Sequence, residues 1–229
     1  RKPSREPGDS AEMLQSRRRF LDSGYYRPLA EAICAQLSFA NNRYLLDLGC
    51  GEGYYSRQLV RSGWPEENIA GIDIAKTGVR LAARSLPAAD FAVASSFRLP
   101  VTSQSLDAAM RVFAPGPAEE IARVLKPGGI LLDVTPGPEH LWSLKNRLYA
   151  EPRPHRPPAD LEGFALETEL RCCFPLHLRG NQTIADFLTM TPFAWTASRQ
   201  GNDSAREALL ALDELSLEAD FLLRCWRKI

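Results

Sequence analysis

The sequence predicts an α/β fold, a mostly parallel sheet covered by helices and preceded by a helical leader. Three observations carry this expectation. Short apolar runs alternate with helical stretches from Tyr44 to about Pro136, and parallel strands require such crossovers, which wind right-handed. A glycine-rich turn directly follows the first apolar run. Two longer strand-like segments, Phe164–Leu178 and Leu215–Arg227, come late in the chain with two helical stretches between them. Read as an antiparallel pair after five parallel strands, they complete a seven-stranded sheet.

The leader runs over residues 1–39 and contains two helices. Pro7-Gly8 is a turn signal, and Asp9-Ser10 followed by Glu12 offers an N-cap or a capping box. That helix carries Leu14, Arg17-Arg18-Arg19 and Phe20-Leu21, and Gly24 ends it. A second helix starts near Pro28, with Leu29, Ile33 and Leu37 on its buried face. Residues 40–229 form one α/β domain. Its strands are expected at Tyr44–Leu48, Ile69–Asp73, Phe91–Ala94, Leu106–Phe113 and Ile130–Val134, with helices at Ser56–Arg61, Gly78–Ser85 and Pro117–Leu125. Pro152, Pro154, Pro157 and Pro158 make residues 151–160 an extended loop.

Composition narrows the function classes. Lysine plus arginine equals aspartate plus glutamate, so net charge is zero; no global attraction to DNA exists, and any RNA contact must come from a local basic surface. No apolar run approaches the roughly 18 residues of a membrane span, and no signal-peptide pattern opens the chain. The five cysteines include no C-x-x-C pair, which fits reduced thiols in the cytoplasm. Cys172 and Cys173 are adjacent in a strand-like segment, so their side chains face opposite ways and cannot share a zinc; no metal site is expected. The chain opens on Arg1 rather than Met and reads as lacking an amino-terminal portion.

The segment Leu45-Leu46-Asp47-Leu48-Gly49-Cys50-Gly51-Glu52-Gly53 is strand, tight turn and helix start in succession. Glycines at Gly49, Gly51 and Gly53 let backbone pass close to a ligand. A dinucleotide fold wants G-x-G-x-x-G around a pyrophosphate. Here the spacing is G-x-G-x-G, and Asp47 stands just ahead of it, repelling a pyrophosphate but suiting the amino group of a methionine-type ligand. Asp73 ends the next strand, where a carboxylate accepts from ribose hydroxyls. Lys126-Pro127-Gly128-Gly129 is a turn feeding the fifth strand. A glycine triplet alone is equally an ordinary tight turn. In this order and in a βαβ pattern, the set predicts S-adenosylmethionine as cofactor, on a class I methyltransferase (Rossmann-like) fold.

Further blocks resemble one family. They are residues 7–13 (PGDSAEM) with Arg17-Arg18, residues 20–29 (FLDSGYYRPL), residues 51–55 (GEGYY), Phe113-Ala114-Pro115, residues 135–141 (TPGPEHL) and residues 190–195 (MTPFAW). Together they resemble the RlmA-type guanine-N1 methyltransferases, which modify a hairpin of 23S large-subunit ribosomal RNA. Glu52 and Tyr54-Tyr55 look most like the Gram-negative branch. The resemblance implies cofactor contacts from Tyr26, Tyr55, Ser56 and His140, a homodimer, and a zinc module upstream of Arg1. Without the family, Tyr26 reads as a core tyrosine and His140 as a surface histidine capping a helix.

On the substrate side, a base to be modified must be extruded and stacked. Phe193 and Trp195 are either that platform or core residues. Arg17 and Arg18 either meet phosphates or form a solvated helix face. No Asn-Pro-Pro-Tyr motif follows the fourth strand; Phe113-Ala114-Pro115-Gly116 stands there. The sequence names no base: Asp9, Glu12 and His155 qualify only as titratable groups outside the sheet. A small-molecule methyltransferase is the alternative reading, since it would share the glycine loop and Asp73.

Overall fold

The computed structural model describes residues 9–38, 43–156, 158–191 and 203–229. In chain order the elements are α1 (Ala11–Asp22), α2 (Arg27–Leu37), β1 (Leu45–Leu48), α3 (Tyr54–Arg61), β2 (Ile69–Asp73), α4 (Lys76–Ser85), β3 (Asp90–Val93) and β4 (Leu106–Val112). They continue with α5 (Ala118–Val124), β5 (Leu125–Pro136), α6 (Trp142–Leu148), β6 (Phe164–Arg179), α7 (Asn181–Met190), α8 (Asp203–Leu210) and β7 (Glu214–Lys228).

The strands form one seven-stranded sheet in the order β3-β2-β1-β4-β5-β7-β6. The first five run parallel, and β7 pairs antiparallel with both β5 and β6. Strand order reverses between β1 and β4, and in open α/β sheets ligands bind at the carboxyl ends of strands beside such a reversal.

Burial follows from the two-residue strand period. Leu45 joins the core that α1, α2, α6 and α7 cover, whereas Leu46 and Leu48 join the core on the other face with Ile121, Val124 and Trp226. The leader is part of the first core: Phe20, Leu21, Leu29, Ile33 and Leu37 are all buried in it. Each fully buried leucine contributes about 1.5–3 kcal/mol relative to exposure.

Helix ends follow their local chemistry. Ser10 caps α1 by accepting from the Met13 amide through Oγ (3.2 Å). Met13 therefore holds the third helical position, and Glu12 does not close a capping box. Past its end lies Gly24 at φ +85°. The three consecutive arginines of α1 diverge: Arg17 pairs with Asp9, Arg18 with Asp22, and Arg19 with Asp186 of α7 at 2.5 Å.

Two expectations need correcting. Strand β5 starts at Leu125 rather than Ile130, because Leu125 already pairs with Leu106; the Lys126–Gly129 segment is an irregularity inside the strand, with Gly128 at φ +73°. The region after β5 also contains a helix, α6, that the proline-rich composition concealed.

Candidate active site

A cavity of about 610 Å³ opens at the carboxyl ends of the strands, within the size range of sites that bury a small organic ligand. Its wall divides according to strand order. Gly49, Cys50, Gly51 and Glu52 follow β1, Asp73 and Ile74 end β2, and Ala94–Phe97 follow β3. The other half comes from Phe113, Ala114 and Pro115 after β4, Pro136 and His140 at and beyond the end of β5, and Phe221 of β7. Asp9 and Arg17 close it from the leader.

The glycine turn is built from left-handed residues, with Gly49, Gly51 and Gly53 at φ +74°, +55° and +82°. Each has its own steric reason. A Cβ on Gly49 would overlap that of Ala114 beyond β4. At Gly53 it would come within 3.0 Å of the Ala82 Cβ on α4. Around Gly51 the nearest group is the tip of Arg17 at 3.7 Å, so that glycine leaves open space on the cavity wall.

Asp73 braces the turn: Oδ2 accepts from the Gly51 amide (2.9 Å) and Oδ1 from the Ala75 amide (2.7 Å). Each oxygen keeps a second lone pair for a ligand. Asp47 stands behind the wall, buried, accepting from Ser56 Oγ at 2.6 Å. Burial lifts its carboxyl to about 7; the Ser56 bond opposes this, and the charges of Asp73 and Glu52 add to it.

Glu52 is 1% exposed. Its Oε2 accepts from Arg57 at 2.6 Å, and Arg57 also reaches Asp22. The other oxygen, Oε1, is buried and has no hydrogen-bond partner among the described residues. A carboxylate oxygen on a cavity wall with no donor inside the chain is suited to a donor on a ligand.

His140 is held by a separate device. Asp220 of β7 accepts from Arg171, from Cys173 and from the Glu139 amide, and its own backbone N–H donates to His140 Nδ1 at 3.2 Å. Gly137 is required beside it, because a Cβ there would overlap the Asp220 carboxylate. Burial, helped by the nearby charges of His155 and Lys145, lowers His140 to about 3. A neutral imidazole that accepts at Nδ1 carries its proton on Nε2.

Of the cofactor residues predicted from sequence, Tyr26, Gly49, Gly51, Tyr55, Asp73 and His140 are brought together on the wall, whereas Asp47, Gly53 and Ser56 stand behind it. Burial pushes the phenols of Tyr26 and Tyr55 upward, so both are neutral. Arg17 is on the wall and Arg18 is not. Phe193 and Trp195 lie outside the described residues. Among the base candidates, Asp9 and His155 line the cavity, while Glu12 is exposed and does not. Sequence reasoning left out Glu52, Phe113 and Phe221 as site residues. Glu52 had a signal, a carboxylate inside the glycine turn; Phe221 had none, since only the closing strand pair brings it there. No three His, Cys, Asp or Glu side chains cluster as metal ligands among the described residues.

Residues 45–129 match the methyltransferase domain family. The chain is 35% identical over 153 residues to "23S rRNA (guanine(748)-N(1))-methyltransferase" of Streptomyces fradiae, covering 65% of this chain and 54% of that protein. It is 28% identical over 227 residues to "Putative 23S rRNA (guanine-N(1)-)-methyltransferase YxjB" of Bacillus subtilis strain 168, covering 93% and 79%. It thus spans about half the length of the first and about four-fifths of the second. Among solved structures, the "putative methyltransferase (BH2331)" of Bacillus halodurans superposes with a TM-score of 0.54 at 17% identity, over 85% of this chain and 98% of that one. The sheet is that of the class I S-adenosylmethionine-dependent methyltransferases, with a Rossmann-like core, and S-adenosylmethionine is the cofactor of that domain.

Proposed function

We propose that the chain transfers the methyl group of S-adenosylmethionine to N1 of a guanosine in a hairpin of 23S ribosomal RNA. The likeness to the Bacillus subtilis protein carries this reading, because it extends over 93% of the chain and not only over residues 45–129. The reading includes a cytoplasmic homodimer, and a kinship with the Gram-negative branch that rests on the resemblance of Glu52 and Tyr54-Tyr55 alone.

Gly49 and Gly51 would admit the cofactor, Asp73 and Glu52 Oε1 would accept its hydroxyl and amino hydrogens, and Tyr26, Tyr55 and His140 would wall it. When bound, S-adenosylmethionine supplies an electrophilic methyl on a sulfonium. The chain's own task is then mainly to position a nucleophile in line with it. Guanine N1 bears a hydrogen, so that proton must leave as the new N–C bond forms. His140 cannot take it: Nδ1 already accepts from Asp220, and Nε2 carries the ring proton. Of the candidate bases named from sequence, Asp9 and His155 line the cavity. Arg17, paired with Asp9 at 2.5 Å, is the cation available to balance charge gathering on the guanine carbonyl.

The test is transfer of radiolabelled methyl from S-adenosylmethionine to 23S ribosomal RNA from a strain lacking this modification. Label is expected in that RNA and not in RNA already modified. Label appearing only in small-molecule acceptors of a cell extract would overturn the reading.

A further inference from the structure

Phe113 stands out from its surroundings. It follows β4 and has φ +56°, a backbone region in which a bulky side chain is a genuine outlier. Its amide donates to the Val134 carbonyl at 3.0 Å, so the outlier is held by the sheet and not by a loose turn. The next residue, Ala114, packs where a side chain on Gly49 would lie. Backbone after β4 is thereby pressed against the glycine turn. Phe113 is also 45% exposed and lines the cavity.

One side of its ring is braced. The Phe113 and Phe221 centroids are 5.2 Å apart at 35°, and Phe221 in turn packs on His140 at 4.5 Å and on Tyr26 at 5.4 Å. Phe221 is 1% exposed, so this support is rigid. The arrangement is a phenyl ring fixed from behind, left open in front, and held by a strained backbone at the border between the glycine-turn half of the cavity and the half built from β4, β5 and β7. Strain of this kind persists only where the surrounding structure over-determines it, and it concentrates at functional sites.

We infer that Phe113 is the stacking platform for the acceptor base, in the half of the cavity opposite Asp73. This inference rests on the RNA reading above. A flat purine extruded from a hairpin presents an apolar face that packs on an aromatic ring. The open face of Phe113 is such a ring, one strand away from the turn that would carry the methyl donor.

Three variants test it: Phe113→Ala, Phe113→Gly and Phe113→Tyr. Glycine accepts the left-handed backbone without strain, whereas alanine keeps the strain and loses the ring. Both are expected to bind S-adenosylmethionine within about threefold of wild type by calorimetry. Both should lose about ten- to hundredfold in RNA-dependent single-turnover transfer, the range for loss of one base–aromatic stack. Phe113→Tyr should retain most of the rate, and Phe113→Gly should melt no lower than Phe113→Ala. Wild-type transfer by Phe113→Gly would show that the ring is dispensable and overturn the inference. Loss of cofactor affinity in both ring-less variants would also overturn it, by assigning Phe113 to the cofactor. A wild-type protein that methylates no RNA would instead refute the functional reading beneath it, and the wild-type arm keeps the two failures apart.

Discussion

At the scale of single residues, two buried titratable groups beside the cavity push stability in opposite directions with pH. Asp47 has its carboxyl raised from 3.8 to about 7 by burial. Between those values the folded protein holds a proton that the unfolded chain has released, so stability falls as pH rises through that window. His140 is lowered from 6.5 to about 3, again chiefly by burial. There the unfolded chain binds the extra proton, so stability rises with pH up to 6.5. In the wild type the two slopes largely offset one another between about pH 4 and 6.5. Asp47→Asn removes one of them while keeping an acceptor for Ser56. That variant should be at least about 2 kcal/mol more stable at pH 8 than at pH 5, from the 1.5 units over which His140 titrates, and His155, which burial also lowers, adds in the same direction. Urea denaturation at the two pH values measures this; a pH profile parallel to that of wild type would contradict it. The residue types of this pair were legible in the sequence, but their burial was not. Asp47 sits behind the turn, bonded to Ser56.

At the scale of elements, the local signals are strong where chemistry bounds an element: Ser10 and Gly24 frame α1, Pro28 stands in the first turn of α2, and β1 runs into Gly49. The sequence signal for α6 is the helical spacing of Leu141, Leu144 and Leu148, and prolines on either side mask it. The start of β5 at Leu125 is not legible, because a Lys-Pro-Gly-Gly stretch has the composition of a turn whether or not its flanks pair. The glycine turn and α4 form a unit that sequence did not reveal. Gly78 lies in the first turns of α4, and a Cβ there would be 2.7 Å from the Gly51 carbonyl oxygen. Gly78→Ala should therefore displace the turn from behind without entering the cavity. Alanine is the better helix former by about 1 kcal/mol, so little net loss of stability is expected. Affinity for S-adenosylmethionine should nevertheless drop at least about tenfold, a change of about 1.4 kcal/mol. Unchanged affinity by calorimetric titration would mean that α4 does not set the turn.

At the scale of the whole molecule, the cavity sits where strand order reverses and draws on the leader, five of the seven strand ends and the last strand. Within the glycine-turn half, Gly49, Gly51 and Asp73 were legible because they lie within one stretch of chain, whereas Ala94–Phe97 after β3 carry no such motif. In the opposite half His140 was legible through the family resemblance, but the Phe113–Phe221 contact was not, since the two rings are 108 positions apart and meet only through the β5–β7 pairing. Zero net charge means that any attraction to RNA must be local, and Arg17 and Arg18 are both in ion pairs with acids of the leader. Methylation at guanine N1 removes a Watson–Crick donor and halts reverse transcription at that base. The most direct measurement is therefore primer extension across unmodified 23S ribosomal RNA after incubation with this protein and S-adenosylmethionine. A single new stop beside one hairpin guanosine, absent without the cofactor, is the result expected. Methyl incorporation into the RNA with no new stop would place the methyl on another atom and contradict the account.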